Sequence, residues 1–392
     1  MQEIFISDCI DKLQSGKRPK INETISKNFA ASLGGENIKL DGGLIFKKLR
    51  LINDKFFKLM KTGHINYNDI LINKDGANTG KFAIYKNELI FNCSTNEHLF
   101  IIRSNNKFTY SDYLYCLLFY SSYKLYVKNK IVGSAQPGIN SKFLDDLKIK
   151  IHSKRNQEKI VNILNKQDKI INNLNKQILK FENLKISIIN NYFEDMLKQN
   201  KLSNAKLEDV CENQICYGIV QVGPYIENGI PVFSIKEMRK ESLKNINRTS
   251  KKIEEKYKRS RIKEGDLLLS IKGTTDVLKI VPKKFLGNIS RDIAFMRTRQ
   301  KKLKTNFLRI FFESKLGKQE LHKIKVGSTR DELSIKRLKK IDVFFPSTLD
   351  EQDELVDKIT NIENLIKSLN KNKSKHIFLK KSLTEDFFSF KS

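Results

Sequence analysis

The chain is written twice, and this duplication constrains its fold more than any other feature. Ile131-Val132-Gly133-Ser134-Ala135 returns as Lys325-Val326-Gly327-Ser328-Thr329. Downstream, Leu147 to Ile151 returns as Ile341 to Phe345, and Asn156 to Val161 as Glu351 to Val356. Upstream, Asn68-Asp69-Ile70-Leu71-Ile72 with Gly76 parallels Gly265-Asp266-Leu267-Leu268-Leu269 with Gly273, and Ile6-Ser7-Asp8 parallels Leu207-Glu208-Asp209. One such alignment arises easily by chance. Several in the same order, at offsets of 194 to 201, argue for two copies of one domain.

Each copy reads as a mixed domain followed by a long helix. Short β-type runs bounded by Gly, Asn and Asp lie at Asp69–Ile72, Phe82–Tyr85, His98–Arg103, Asp266–Ile271 and Ile293–Arg297. Helical segments follow at Tyr110–Val127 and Asn306–Lys323. From Asn156 to Lys198 there is no Gly or Pro, and Ile160, Leu164, Ile171, Leu174, Ile178, Phe181, Ile188 and Tyr192 form a heptad seam that Gln167 and Lys185 interrupt. A second seam runs through Leu355, Ile359, Ile362, Ile366 and Leu369 and slips phase after Lys371, with Asp350 placed to cap its start. The expected fold is α+β: mixed domains at 1–150 and 200–348, and long, antiparallel, coiled-coil-like helices at 151–199 and 349–392.

Charge points to the partner. The net charge of +30 suits a dense polyanion, nucleic acid before membrane surface or acidic protein. Residues 1–150 hold 23 basic and 14 acidic groups, and residues 200–348 hold 34 and 17, so 26 of the 30 excess charges fall in the mixed domains. No run approaches the roughly 18 apolar residues of a membrane span, and Met1 to Ile10 lacks the basic lead-in of a signal peptide. Five scattered cysteines suit reduced thiols, so a cytoplasmic location is expected.

The order and doubling of these blocks resemble the specificity subunit of type I restriction–modification systems, over essentially the whole chain. Besides the doubled Gly-Asp/Asn-Asp and Val-Gly-Ser blocks, Gln157 and Gln352 stand at the helix entrances, and Gly229 to Ile235 adds to the likeness. The resemblance implies two target-recognition domains that each read half of a bipartite double-stranded DNA site. It also implies helices that set the spacing and dock two methyltransferase subunits, with restriction subunits joining the assembly. The copies differ at Ala135-Gln136-Pro137-Gly138 against Thr329-Arg330-Asp331-Glu332, and at His152 against Pro346.

Candidate DNA contacts follow from residue type. Gln136 suits adenine and Arg330 guanine, each beside a hydroxyl at Ser134 or Thr329. The loop from Asn73 to Lys81 has three residues between its glycines and Phe82 after its lysine, so it fails as a nucleotide-binding loop. A hairpin with Lys74, Asn78 and Lys81 on DNA is the alternative, matched in the second copy by Lys272 and Thr274. Lys236, Arg239, Arg259, Arg261 and Arg291 belong to the most basic part of the chain and are candidates for phosphate. Gln157, Glu158, Gln352 and Asp353 open the helices, either as favourable N-terminal groups or, by the resemblance, as partner-docking residues.

Catalysis finds no support. No Asn-Pro-Pro-aromatic tetrad or Gly-rich loop suits methyl transfer, so no cofactor is expected. Cys211 and Cys216 have no second pair for zinc. Asp292 with Glu313 and Lys315 is the residual nuclease-like pattern, and a stand-alone nuclease or a coiled-coil scaffold are the alternative readings.

Overall fold

Each copy closes by pairing its own two ends. Gln2–Phe5 lies antiparallel to Lys148–Ile151, and Leu202–Lys206 antiparallel to Asp342–Pro346. In both, the first strand runs directly into a short 3-10 turn, Ile6–Cys9 or Leu207–Val210, whose apolar residues enter the core. A computed structural model describes the chain except residues 1, 12, 19–28, 41, 48, 121–122, 134–136, 241–242, 244, 327–331 and 389–392. It divides into two units, residues 1–174 with 372–392, and residues 175–371.

The sheets of the two units share a common core and differ at one edge each, where Gln14–Ser15 joins Leu99–Ile102 in the first unit and Ile262–Lys263 joins Leu286–Ile289 in the second. In the first, Ile70–Asn73 lies antiparallel to Phe82–Ile84 on one side and to Leu99–Ile102 on the other. In the second, Leu267–Ser270 lies between Leu278–Ile280 and Ile293–Met296 in the same senses. A further sheet sets Phe29–Leu33 antiparallel to Arg50–Asn53 and parallel to Cys93–Thr95. Its counterpart sets Ile230–Phe233 antiparallel to Arg248–Thr249 and parallel to Leu286–Ile289. The central strands are buried on both faces, which is why they read as unbroken Ile/Leu runs instead of alternating ones.

The repeated Asn-Asp/Gly-Asp block has a conformational cause. Asn68 and Gly265 both adopt positive φ, 70° and 85°, which Asn and Gly tolerate best. The turn lets the next carboxylate accept a backbone N–H from three residues upstream, Asn66 to Asp69 at 2.7 Å and Lys263 to Asp266 at 2.9 Å.

Each helical segment expected in the mixed domains is described as two helices, with residues 121–122 of the first lying outside the described residues. The first is Ser111–Tyr120 and Tyr123–Asn129; the second is Thr305–Glu313 and Lys315–Lys323. Ser314 breaks the second, leaving helical geometry and accepting the Gly317 N–H at its own hydroxyl as a new N-cap.

The long helices run Lys154–Lys198 and Leu349–Phe388, and each contributes to both units. In the first unit Ile160 and Leu164 share a core with Phe388, whose ring lies 5.7 Å from that of Tyr113. In the second, Ile189 and Phe193 share a core with Leu355 and Ile359. Early residues of one helix therefore meet late residues of the other, an antiparallel pairing. The seam ends one residue later than its heptad pattern predicts, since Ile189 and Phe193 are buried while Ile188 and Tyr192 are only partly so. A straight helix of 3.6 residues per turn drifts from a 3.5-residue repeat, and the Phe193 ring is drawn in between Phe307 and Phe311. Thr348, not Asp350, caps the second helix, accepting from the Glu351 N–H and donating to its carboxylate.

Candidate nucleic-acid interface

In each unit the fold brings the two repeated blocks together at one tip. In the first, the loop after Ile70–Asn73 is stitched to the hairpin of Ile131–Val132 and Gly138–Ile139. The Gly76 N–H donates to the Pro137 carbonyl at 2.9 Å, the Ile139 N–H to Lys74 at 2.7 Å, and the Thr79 hydroxyl to Pro137 at 3.0 Å. In the second, the Leu333 N–H donates to the Ile271 carbonyl at 2.8 Å and Lys272 bridges to Glu332, within the hairpin of Lys325–Val326 and Glu332–Leu333. Ser134, Gln136, Thr329 and Arg330, expected at the turns of these hairpins, lie outside the described residues.

The first tip is an ionic cluster. Lys74 Nζ lies 2.8 Å from Asp75, the other oxygen of Asp75 meets His98 Nδ1, and His98 Nε2 lies 3.3 Å from Glu97. Burial opposes the charge on Asp75, but hydrogen bonds from Lys74 and His98 hold its pKa below the usual carboxylate range. Lys81 donates to the Asn78 side chain, which in turn donates to the Gly35 carbonyl at 3.3 Å. Asn78 and Lys81 therefore brace the loop that carries Lys74.

The second tip has fewer internal ties. Lys272 Nζ lies 3.1 Å from Glu332, with both side chains over two-fifths exposed, and Thr274 is exposed beside them. Arg291 joins this region through the backbone: Ile271 donates to the Asp292 carbonyl, and Arg291 to that of Ile219. The guanidinium of Arg259 lies 6.0 Å from the Tyr217 ring, and Lys236 and Arg239 are exposed at the short helix Ile235–Met238 and its C-cap. Arg261 is held by acidic side chains while 44% of its own side chain stays exposed. Both oxygens of buried Glu254 bind it at 2.6 and 2.7 Å, Glu255 adds a third contact, and these carboxylates raise its pKa.

The helix entrances carry a matched pair of clamps. Gln157 is fully buried, its amide donating to the carbonyls of Phe108 and His152 at 2.8 Å each and accepting from the Tyr110 N–H at 3.2 Å. Gln352, also fully buried, donates to Lys302 and Pro346 at 3.0 and 3.3 Å and accepts from the Lys304 N–H at 2.9 Å. These two side chains fasten each long helix to its own mixed domain. Their neighbours face outward: Glu158 is exposed and bonded to the Tyr110 hydroxyl, and half-buried Asp353 lies 3.2 Å from Lys304.

The acids of the nuclease-like pattern are each engaged, Asp292 with Arg291 and Glu313 with Arg309 and Lys185. Among the described residues no group of three or more His, Cys, Asp or Glu is disposed to hold a metal ion, and no helix is long and apolar enough to cross a membrane. Sequence reasoning missed His98 and Glu97 at the first tip and Tyr217 beside Arg259. The run Asn96-Glu97-His98 reads as an ordinary strand entrance, and only the return of the strand to the loop sets it against Asp75.

Comparison with known proteins agrees with this duplicated architecture. The family described as "Type I restriction modification DNA specificity domain" matches the chain twice, over residues 1–181 and 200–377. The EcoBI type I restriction enzyme specificity subunit of Escherichia coli is 27% identical over 213 residues, covering 54% of this chain but only 43% of that protein. The MjaVIII specificity subunit of Methanocaldococcus jannaschii is 24% identical over 350 residues, 82% of this chain and 79% of that protein. Among solved structures, the S subunit of a type I restriction–modification system from M. genitalium superposes with a TM-score of 0.61 at 13% identity, covering 100% of this chain and 96% of that one. A chain from a structure of type I system assembly and conformational transition gives 0.54 at 15% identity, covering 99% and 97%. At these identities the solved structures speak for the fold, and the doubled family match speaks for kinship: the chain belongs to the type I restriction–modification DNA specificity family.

Proposed function

We propose that this protein is the DNA sequence-specificity subunit of a type I restriction–modification assembly, working in the cytoplasm and performing no chemistry itself. The observation that carries this reading is the loop–hairpin tip built twice from the repeated blocks, once in each strongly basic unit. Two readers multiply specificity without enlarging either one, because the second engagement is effectively intramolecular. The domain bounds 1–150 and 200–348 delimit the readers, and 151–199 and 349–392 the helices on which partner subunits dock.

In this reading Lys74, Asn78, Lys81, Lys272, Thr274, Arg259, Arg261, Arg291, Lys236 and Arg239 meet DNA, together with the hairpin-turn residues Ser134, Gln136, Thr329 and Arg330. Two methyltransferase subunits dock on the helices, where Glu158 and Asp353 are the outward-facing entrance residues, and restriction subunits join them. Methylome mapping with and without the chain tests the proposal. A bipartite methylated motif that vanishes on deletion is expected. An unchanged methylome, or turnover of DNA by the purified chain alone, refutes it.

A further inference from the structure

The segment from Tyr217 to Ile226 presents apolar side chains to solvent on a backbone that is firmly held. Tyr217, Val220, Tyr225 and Ile226 are 41%, 41%, 60% and 40% exposed. The backbone beneath them is pinned at several points. Ile219 donates to Ile289 at 2.8 Å and accepts from Arg291 at 2.9 Å, and the Thr249 hydroxyl donates to Val222 at 2.6 Å. At Gly218 a Cβ would sit 1.8 Å from the Ile289 carbonyl oxygen, so only glycine allows this approach. At Gly223 one would meet Ile253 at 2.7 Å, placing the loop against the short helix Lys251–Glu254. Cations surround the apolar tip: exposed Lys251 and Lys252, Arg259 over the Tyr217 ring, and exposed Arg291. Glu227 is the one acidic side chain between Tyr217 and Gly229.

A loop held this rigidly, apolar at its crest and ringed by positive charge, fits a groove of duplex DNA better than it fits water. We propose that Tyr217–Ile226 is a base-contacting element of the second unit. Val220 and Tyr225 press on thymine methyls or sugar edges, exposed Gln221 can pair with adenine, and Arg259 and Arg291 bind the flanking phosphates. This rests on the specificity reading above and adds the residues that discriminate.

The test is selection of duplexes from a library with two randomised blocks by the full chain and its variants. Val220→Ser and Tyr225→Ala relax preference at one half-site by roughly tenfold, leave the other half-site unchanged and keep the salt dependence. Arg291→Ala instead weakens binding to all sequences and lowers the salt slope by about one. Tyr225→Phe, which keeps the ring, retains selection and guards against misfolding. If the wild type selects a bipartite motif and the Val220 and Tyr225 variants select it equally well, the loop has no reading role and the specificity assignment stands. Loss of co-purifying subunits with DNA selection intact would make the loop a protein-docking surface and overturn the inference. If the wild type selects nothing, both readings fall.

Discussion

Asp69 receives the side chain of Arg103 on both oxygens, at 2.7 and 2.6 Å, with the carboxylate 1% exposed. Asp266 and Arg297 repeat the pair in the second unit at 2.8 Å on each oxygen. Each pair ties the start of a central strand to the end of its neighbour. Replacing Arg103 by Ala leaves a buried carboxylate without its cation. The expected cost is about 2–4 kcal/mol, the lower side of the range for broken buried pairs because Arg103 keeps about a quarter of its surface in solvent. Denaturant unfolding of the variant checks this, and a loss below about 0.5 kcal/mol would show the pair to be dispensable.

Gln157 and Gln352 each satisfy three backbone groups at a helix entrance. Alanine at either position orphans two carbonyls and one N–H in a sealed site, for an expected loss of about 2–3 kcal/mol. Glutamate is the sharper probe, because a carboxylate cannot donate to Phe108 and His152 or to Lys302 and Pro346. Gln157→Glu and Gln352→Glu should therefore lower the unfolding midpoint at least as far as alanine does. A side chain that served only to bind a partner would leave the midpoint of the isolated chain unmoved.

The duplication, the strand runs and the long helices were legible because each has a short-range signature: Ile70-Leu71-Ile72 against Leu267-Leu268-Leu269, and a heptad seam without Gly or Pro after Asn156. The clamps were visible only as residues at corresponding places. Nothing local says that Gln157 turns inward while Glu158 turns out; that depends on the Phe108 carbonyl, 49 residues away. Likewise the break at Ser314 hides inside a helix-periodic pattern, because a serine is tolerated within a helix even though it is favoured at an N-cap.

The seam interruptions at Gln167 and Lys185 have partners on the opposing helix. Gln167 accepts or donates at His376 Nδ1 over 2.9 Å, and Lys185 reaches Glu363 at 3.2 Å and Glu313 at 3.0 Å. Polar pairs of this kind fix the register of paired helices. Burial works against the charge on Glu363, yet Arg309 and Lys185 hold its pKa below the usual range. Its contribution is thus present at neutral pH and fades in acid as the carboxylate takes up a proton. Glu363→Gln leaves Arg309, only 13% exposed, with Glu313 alone, and should cost about 2–3 kcal/mol at neutral pH. The difference from wild type should shrink as pH falls through the carboxylate range. A difference constant with pH would mean that the charge contributes nothing.

His152 stands where the second copy has Pro346. Its Nδ1 shares a hydrogen bond with the Tyr113 hydroxyl at 2.8 Å, while the backbone N–H of His152 donates to that same oxygen at 3.2 Å. Burial lowers the imidazole pKa below its ordinary 6.5. The folded chain therefore takes up this proton less readily than the unfolded chain, and stability falls as pH drops below about 6.5. The fall stops once the folded imidazole is also protonated. His152→Gln removes this component, so unfolding curves of variant and wild type should draw together on acidification from their separation at neutral pH. Parallel curves across that window would assign the acid sensitivity elsewhere.

The pair of Lys272 and Glu332 gives the most direct electrostatic test of the second tip. Both side chains are over two-fifths exposed, so the pair itself adds little to stability. Its effect on DNA is different, because Glu332 holds a lysine amine that could otherwise displace a phosphate counterion. Glu332→Gln keeps the side-chain shape and frees that amine. Affinity for duplex of any sequence should rise severalfold at low salt, and the slope of log affinity against log salt should steepen by about one. The free energy of unfolding should stay within about 0.5 kcal/mol of wild type. Lys272→Gln should move affinity and slope the opposite way or leave them unchanged, since the wild-type amine is already shared. If both variants bind duplex with the wild-type salt slope, this tip does not face phosphate.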